Sequence, residues 1–414
     1  MSKIHQSNKI KNRMIFFSFF ACVFILSISL DVQPTKSYSN PSSTVYLPFM
    51  GKNYNHISPV LGDTIVIGWN DLGMHCYDRD YSTLTVLPPY NNLFAQVIRR
   101  GDPPEILTSG VKVEYSYPDN TESVSKTNFW QYVEKIFGVS LAPNVGLAGK
   151  GLAGQMDLSG DHYVAEGIPI TEFSDSNPSV PDYFQLAQIV VKDIGGNILA
   201  QSDVVTPVSS EMRCDTCHDE PSSNFRMNIL EKHDEEENTT LANQAKSGNP
   251  VLCANCHADP ALGKPGNPDL PSLSAAMHGK HNEETSDCYS CHPGPATKCL
   301  RDVMSTDFEM TCIDCHTGGM QALANRNRTP WVDEPRCANC HSQSHAENPG
   351  TLFKLSKGHG GVYCEGCHNS THAILKSREE KDNRQVVALQ GYAGTLTECT
   401  VCHLTKPTSG GPHQ

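Results

Sequence analysis

The chain has 414 residues, 45 acidic against 32 basic, a formal charge of −13 and 38 % hydrophobic residues. That balance argues against nucleic acid as a partner, and the length predicts two or three domains. Beyond the first thirty residues no stretch is apolar enough to cross a bilayer.

Lys3, Lys9, Lys11 and Arg13 precede an apolar run from Met14 to Leu30, the pattern of an export signal. The run is long for a signal core and short for a membrane span, and Ser18, Ser27 and Ser29 dilute it. Ser37-Tyr38-Ser39 offers a small-residue cleavage site, whereas Phe20-Ala21-Cys22 is a poor lipoprotein signal because the residues after Cys22 stay apolar. Residues 1–39 are therefore expected to be a signal peptide, with retention as an N-terminal anchor the alternative, and the remainder is expected in the periplasm or outside the cell. Residues 40–59 continue a stretch rich in Ser, Pro, Asn and Tyr and read as a linker. Its apolar patch Val45 to Phe49 has no derivable role.

Residues 60–208 hold a single cysteine and several β-branched runs. Thr64 to Gly68, Val111 to Tyr115 and Ala187 to Lys192 alternate roughly as strands do, with turn signals at Asp119-Asn120 and Gly195-Gly196-Asn197. The expectation is a mainly β, antiparallel, sandwich-like domain. Phe184 to Val208 reads as its last strand pair, similar in pattern alone to the end of an immunoglobulin-type sheet. One helix is predicted from Asn128 to Phe137, where Phe129, Val133 and Phe137 recur at helical spacing. His75, Cys76, Asp78 and Asp80 are competent metal ligands; the rival reading is a turn between strands with a buried cysteine.

Residues 209–414 change character. Seven copies of Cys-x-x-Cys-His occur: Cys214-Cys217-His218, Cys253-Cys256-His257, Cys288-Cys291-His292, Cys312-Cys315-His316, Cys337-Cys340-His341, Cys364-Cys367-His368 and Cys399-Cys402-His403. This is the attachment signature of haem c. Two thiols one turn apart can add across the two vinyl groups of one haem, and the next residue is an imidazole placed to meet the iron. Zinc sites also use Cys-x-x-Cys pairs, but zinc does not require the trailing histidine every time. The motifs therefore predict seven covalently attached haems c.

Outside the signatures the same region holds seven further histidines, His233, His278, His281, His345, His359, His372 and His413. If each supplies a sixth ligand, every haem is bis-His and saturated, which favours low potential and outer-sphere electron transfer over ligand binding. Met212, Met227, Met277, Met304, Met310 and Met320 are reserve thioether ligands, better suited to packing against porphyrin faces. His75 and His162 are further candidates to cap a haem from the β region. The spacers between signatures are too short to build a protein core around each haem. The haems must then be the core of a loop-rich region with short helices at the signatures, set in a closely spaced row that does not fold without them. Asp234 to Glu237 reads as a solvated acidic face, or as a docking patch for a basic partner. Cys76 and Cys299, the cysteines left over after export, could join the two regions by a disulfide.

With these signatures, Ser356-Lys-Gly-His359-Gly-Gly before Cys364 and Met277-His278-Gly-Lys-His281 before Cys288, the region resembles bacterial secreted multihaem c-type cytochromes. Trp69-Asn-Asp-Leu-Gly-Met-His-Cys76 is similar to a domain that precedes such haem regions in other bacterial chains. The resemblance implies electron transfer to redox partner proteins or an extracellular acceptor, and in some members stacking of subunits into conducting filaments. In Leu389-Gln-Gly-Tyr392-Ala-Gly-Thr, similar sequences carry His at the position of Tyr392, which leaves one sixth ligand to another residue, His413 being the substitute. The leading expectation is an exported heptahaem electron carrier, with contact to the membrane only through an uncleaved N-terminal segment. The alternatives are a multihaem reductase of a small nitrogen or sulfur oxyanion with one open haem near Tyr392, and a homo-oligomeric filament subunit.

Overall fold

Strand β1 (Thr64–Trp69) is buried along almost its whole length, which is why its sequence is a continuous apolar run rather than an alternating one. The structure, a computed structural model, describes residues 61–218 and 224–413. The export signal, the linker and the patch Val45 to Phe49 lie outside the described residues. Chain order continues with β2 (His75–Cys76), β3 (Leu84–Thr85), β4 (Asn91–Arg99), β5 (Glu105–Ile106), β6 (Val111–Ser116), α1 (Phe129–Phe137), β7 (Ala153–Gln155), β8 (Asp157–Ser159), β9 (His162–Ile168), β10 (Phe184–Asp193) and β11 (Ile198–Ser209). Two five-stranded sheets result. One runs β1-β4-β9-β8 with β5 on β4, and the other runs β2-β11-β10-β6-β7.

The two sheets share one apolar core. Val66, Leu93, Ala95 and Val97 of the first meet Val113, Tyr115, Ala187, Ile189, Val191 and Val204 of the second, all buried. Gly68 sits where a side chain would come within 2.6 Å of both Ile189 and Val204, so glycine is what lets the sheets close at this point. The mainly β expectation holds, and each predicted strand is present. β10 and β11 form a hairpin closed at Asp193 to Asn197, where the Gly196 amide donates to the Asp193 carbonyl. Two pairings depart from the antiparallel expectation, because β2 lies parallel to β11 and β3 parallel to a later strand. Helix α1 forms as predicted, although Ile136, not Phe137, joins Phe129 and Val133 in the buried set. Gly138 ends it in the left-handed conformation at φ 70°.

After residue 209 the chain carries only short elements: α2 (Phe225–Glu237), α3 (Leu241–Lys246), β12 (Val251–Leu252), α4 (Leu273–His281), α5 (Val303–Thr306), α6 (Cys312–Cys315), α7 (Gly319–Leu323), α8 (Cys364–His368) and α9 (Glu380–Gln390). Packing crosses the compositional break at 208/209, and the described residues fall in one compact unit. β12 pairs with β3, and Leu252 and Ala254 join Tyr81, Phe129, Val133 and Ile136 in a common cluster. Ile65 and Ile67, on the opposite face of β1 from Val66, pack with Leu389 and Val401. The Gln385 side-chain amide donates to the Gly68 carbonyl at 2.8 Å and accepts from the Gly68 amide at 2.7 Å. Arg100 donates to the carbonyls of Thr400 and Val401 at 2.8 and 3.1 Å.

The deepest tie is ionic. Arg301 holds Asp382 through Nε at 2.7 Å and Nη2 at 2.9 Å, and its Nη1 donates to the Gly73 carbonyl at 2.7 Å. Both side chains are about 1 % exposed or less. Removing one partner of such a pair strands the other charge in a site without water, which costs about 3–5 kcal/mol, whereas replacing both with apolar groups costs far less. We therefore predict that Asp382→Ala lowers stability by that amount in chemical denaturation, and that Arg301→Met with Asp382→Leu loses less than half as much.

Candidate metal centres

Every signature folds as one tight turn. Five are 3₁₀ turns starting at Cys214, Cys253, Cys288, Cys337 and Cys399, and two are the α-helical turns α6 and α8. In six of them the histidine amide donates to the carbonyl of the first cysteine, at 3.0 Å for His218, 3.1 Å for His257, 2.9 Å for His292, 2.8 Å for His316, 2.8 Å for His341 and 2.9 Å for His403. This bond fixes the two thiols three residues apart on one turn, the spacing at which side chains share a helical face. Local acids start several of the turns. Asp287 and Glu398 accept from the amides of Tyr289 and Thr400, and Thr311 and Asp314 form a capping box.

Five thiols are open to space: Cys217, Cys256, Cys291, Cys315 and Cys340 are exposed, and the other described cysteines are half-buried, although free cysteine is ordinarily among the most buried residue types.

The histidines are paired. Ring centres lie 6.2 Å apart for His218 and His281, 6.4 Å for His257 and His233, 6.1 Å for His292 and His278, 6.5 Å for His316 and His372, 5.9 Å for His368 and His413, and 6.1 Å for His403 and His359. Each pair joins one signature histidine to one of the extra histidines. Two imidazoles on opposite sides of one metal, each bonded at about 2.0 Å with its ring centre about 1.1 Å beyond the nitrogen, have centres about 6.3 Å apart. Among the described residues no three His, Cys, Asp or Glu side chains converge as a zinc site of protein ligands requires.

The ring nitrogens are sorted as well. Nδ1 of His278 and His281 lies 2.7 and 2.8 Å from the carbonyls of Ser274 and Met277, one turn back on α4. Nδ1 of His257 lies 2.9 Å from the Pro271 carbonyl, that of His218 3.1 Å from Asn228 Oδ1, and that of His233 3.0 Å from Thr239 Oγ1. His403 Nδ1 stands 3.4 Å from Asp102 Oδ1. With Nδ1 occupied, Nε2 is the nitrogen left for a metal, and the partner fixes the ring orientation. Asn228, Thr239, Pro271 and Asp102 follow no motif, so sequence reasoning did not find them.

Burial pushes His292 and His368 down to about 4, and neighbouring imidazoles push the same way, His278 against His292 and His413 against His368. Burial lowers His278 and His316 too. Neutral imidazole is the ligand form. His372 behaves differently. Burial works to lower it, but the adjacent Cys299 sulfur outweighs that and raises it to about 9, while Cys299 is lowered in turn.

The thiols also order the centres in space. For six of them burial is the first cause that raises the thiol, and a neighbouring thiol's charge adds to it. Cys253 rises to about 12 with a contribution from Cys214, and Cys214 to about 11 with one from Cys291. Cys312 rises to about 11 beside Cys288, Cys315 rises beside Cys340, Cys337 rises to about 11 with a contribution from Cys364, and Cys367 to about 12 beside Cys402. Each signature thus has a thiol near one of its neighbour in the succession second, first, third, fourth, fifth, sixth, seventh. Helix α4 serves two neighbours in it, His281 facing the first signature and His278 the third.

Three expected ligands fall elsewhere. His345 stands 5.0 Å from His413 and is not among the partners of the signature histidines. Tyr392 shares a hydrogen bond with Thr397 Oγ1 at 3.0 Å, and His413, the expected substitute for one missing sixth ligand, faces His368, while the seventh signature histidine faces His359. His75 places Nε2 3.0 Å from Asp71 Oδ1, and His162 places Nδ1 3.1 Å from the Tyr363 hydroxyl.

The candidate metal set around Cys76 is likewise committed to separate partners. Asp78 Oδ2 accepts from the amides of Val86 and Leu87 at 2.7 and 2.9 Å, and Asp80 Oδ1 accepts from Ser82 and Asn128. Burial pushes the Cys76 thiol up to about 12, with the charge of Cys299 adding to it. The turn with a sheltered cysteine describes this segment. Burial works to raise Asp71, but the hydrogen bond and charge of His75, with Lys354 and Asn92, hold it at about 2. A carboxyl lowered on folding contributes stability that is complete above its unfolded value, about pH 4, and is lost as pH falls through the folded one. Asp71→Asn should therefore cost about 2 kcal/mol at neutral pH, and denaturation curves of parent and variant should converge as the pH falls from 4 towards 2.

No protein-family model matches the chain, and no curated protein or solved structure matches it either.

Proposed function

We propose that the chain is an exported heptahaem c-type cytochrome that relays electrons along a row of covalently attached haems to a periplasmic or extracellular redox partner. The observation that carries this reading is the set of six imidazole pairs whose separations, 5.9 to 6.5 Å, suit two ligands of one iron, each pair anchored on a Cys-x-x-Cys-His turn. Burial supports it independently. From Ala276 through Val362 no Ala, Val, Ile, Leu, Met, Phe, Trp or Tyr is buried, while Phe308 and Ile313 are 65 % and 56 % exposed. Apolar macrocycles filling that space supply the missing core.

The haem supplies one-electron redox chemistry at iron. The chain's own residues set where and how easily that occurs. The cysteine pairs would hold each group at a fixed point, the six paired signature histidines and their partners would ligate its iron, and Nδ1 contacts such as His257 to the Pro271 carbonyl fix the rings. The succession of neighbouring signatures suits a relay, and the β region supports its last two members through Tyr363 against Trp69, ring centres 5.3 Å apart, and through Arg100 at Val401.

Pyridine haemochrome analysis of the exported protein should give seven haems per chain, and six after Cys253→Ala with Cys256→Ala. Colourless protein, or stoichiometric zinc, refutes the reading. Thioether ligation favours reduced iron relative to imidazole. His281→Met should accordingly raise the potential of one centre in seven by a modest fraction of the ~0.8 V that axial ligands span, seen as one displaced wave in a potentiometric titration.

A further inference from the structure

We infer that the iron held by His341 is open on its far side and binds a small uncharged donor there, an inference that rests on the haem reading above. Six signature histidines each face a second imidazole at 5.9 to 6.5 Å, and among the described residues His341 is the one that does not. The extra histidine nearest to it in sequence, His345, has its ring centre 5.0 Å from that of His413 and is not within such reach of His341. That separation is too short for an iron between them, and His413 already faces His368 at 5.9 Å. His341 and His345 are both exposed.

The local charge selects the donor. Glu347, 4 % exposed, accepts from the Ala338 amide at 3.3 Å through Oε2 and adjoins the Cys337 thiol. Arg336, at the start of the same turn, is turned away to the Thr351 carbonyl at 2.6 Å. A buried carboxylate beside the macrocycle repels anions, so an uncharged donor such as carbon monoxide on ferrous iron is favoured over cyanide or an oxyanion on ferric iron.

Carbon monoxide titration of the reduced, intact protein tests this, read by the Soret change and normalised to haem count. One equivalent per seven haems is expected, with one high-spin ferric centre by electron paramagnetic resonance before reduction. Cys337→Ala with Cys340→Ala should abolish both signals and lower the haem count to six, and His345→Ala should leave both unchanged. Glu347→Gln should tighten cyanide binding to the oxidised protein roughly ten-fold, and unchanged cyanide affinity would remove the preference for uncharged donors. Seven low-spin haems inert to carbon monoxide would overturn the inference while the haem reading stands, whereas absent haem would remove both. Binding that survives the double cysteine variant would assign the open iron elsewhere. A carbon monoxide stoichiometry that falls below one as protein concentration rises would show a second copy capping this iron, and would overturn the inference for the assembled protein.

Discussion

Six pairs of imidazoles after residue 209 are held 5.9 to 6.5 Å apart by a chain that, from Ala276 to Val362, buries no aliphatic or aromatic side chain other than proline. A typical protein region orders its backbone by burying apolar side chains, since fixing each residue costs about 1–2 kcal/mol. Here the signature turns and their partner histidines are built from 3₁₀ turns, short helices and side-chain caps, none of which is stable alone. The Nδ1 contacts explain how such slight elements can still aim rings. On α4 the helix's own carbonyls at Ser274 and Met277 hold His278 and His281, so a single nine-residue helix orients ligands for two neighbouring centres.

The β region supplies what the second half lacks. β1 is sandwiched, with Val66 facing the other sheet and Ile65 and Ile67 facing Leu389 and Val401. Two signature residues, Ala254 and Val401, are themselves plugged into apolar clusters that include β-region side chains. Ion pairs run the same way, from Lys357 to Asp161, Lys381 to Asp182 and Arg384 to Asp203, each basic group on the later half. These exposed or half-exposed pairs contribute little singly; the buried Arg301–Asp382 pair and the Gln385 clamp on Gly68 are the specific contacts that fix register between the halves.

Much of this was legible in the sequence, and the rest was hidden for physical reasons. Alternation revealed β6 and β10, and the helical recurrence of Phe129 and Val133 revealed α1, because period follows backbone geometry directly. The parallel pairings of β2 and β3 were invisible, since two-residue strands carry no period. The signature turns were legible because Cys-x-x-Cys-His is a local motif, and each copy folds as one turn. Partner histidines obey no such rule: His281 reaches back to His218, His233 lies before the signature it serves, and His359 skips the following signature to meet His403. Counting seven against seven could not reveal that His345 and His413 lie 5.0 Å apart, nor that Tyr392 has a hydroxyl partner in Thr397.

The spatial order of the signatures has a consequence for the relay. The row begins at the second signature and ends at the seventh, so neither terminus of the chain's own order marks both ends of the path. The second centre, capped by His233, adjoins the acidic end of α2, where Glu236 is 2.7 Å from Lys280; the seventh lies against Arg100, with Asp102 at His403. The two ends therefore carry different electrostatic surroundings. If the signatures hold haems as proposed, electrons relayed along this succession would pass the fifth centre. On the haem reading, a small donor bound at His341 would act on the potential of that single member and through it on conduction along the whole row, which couples ligand occupancy to electron flow without any movement of the fold.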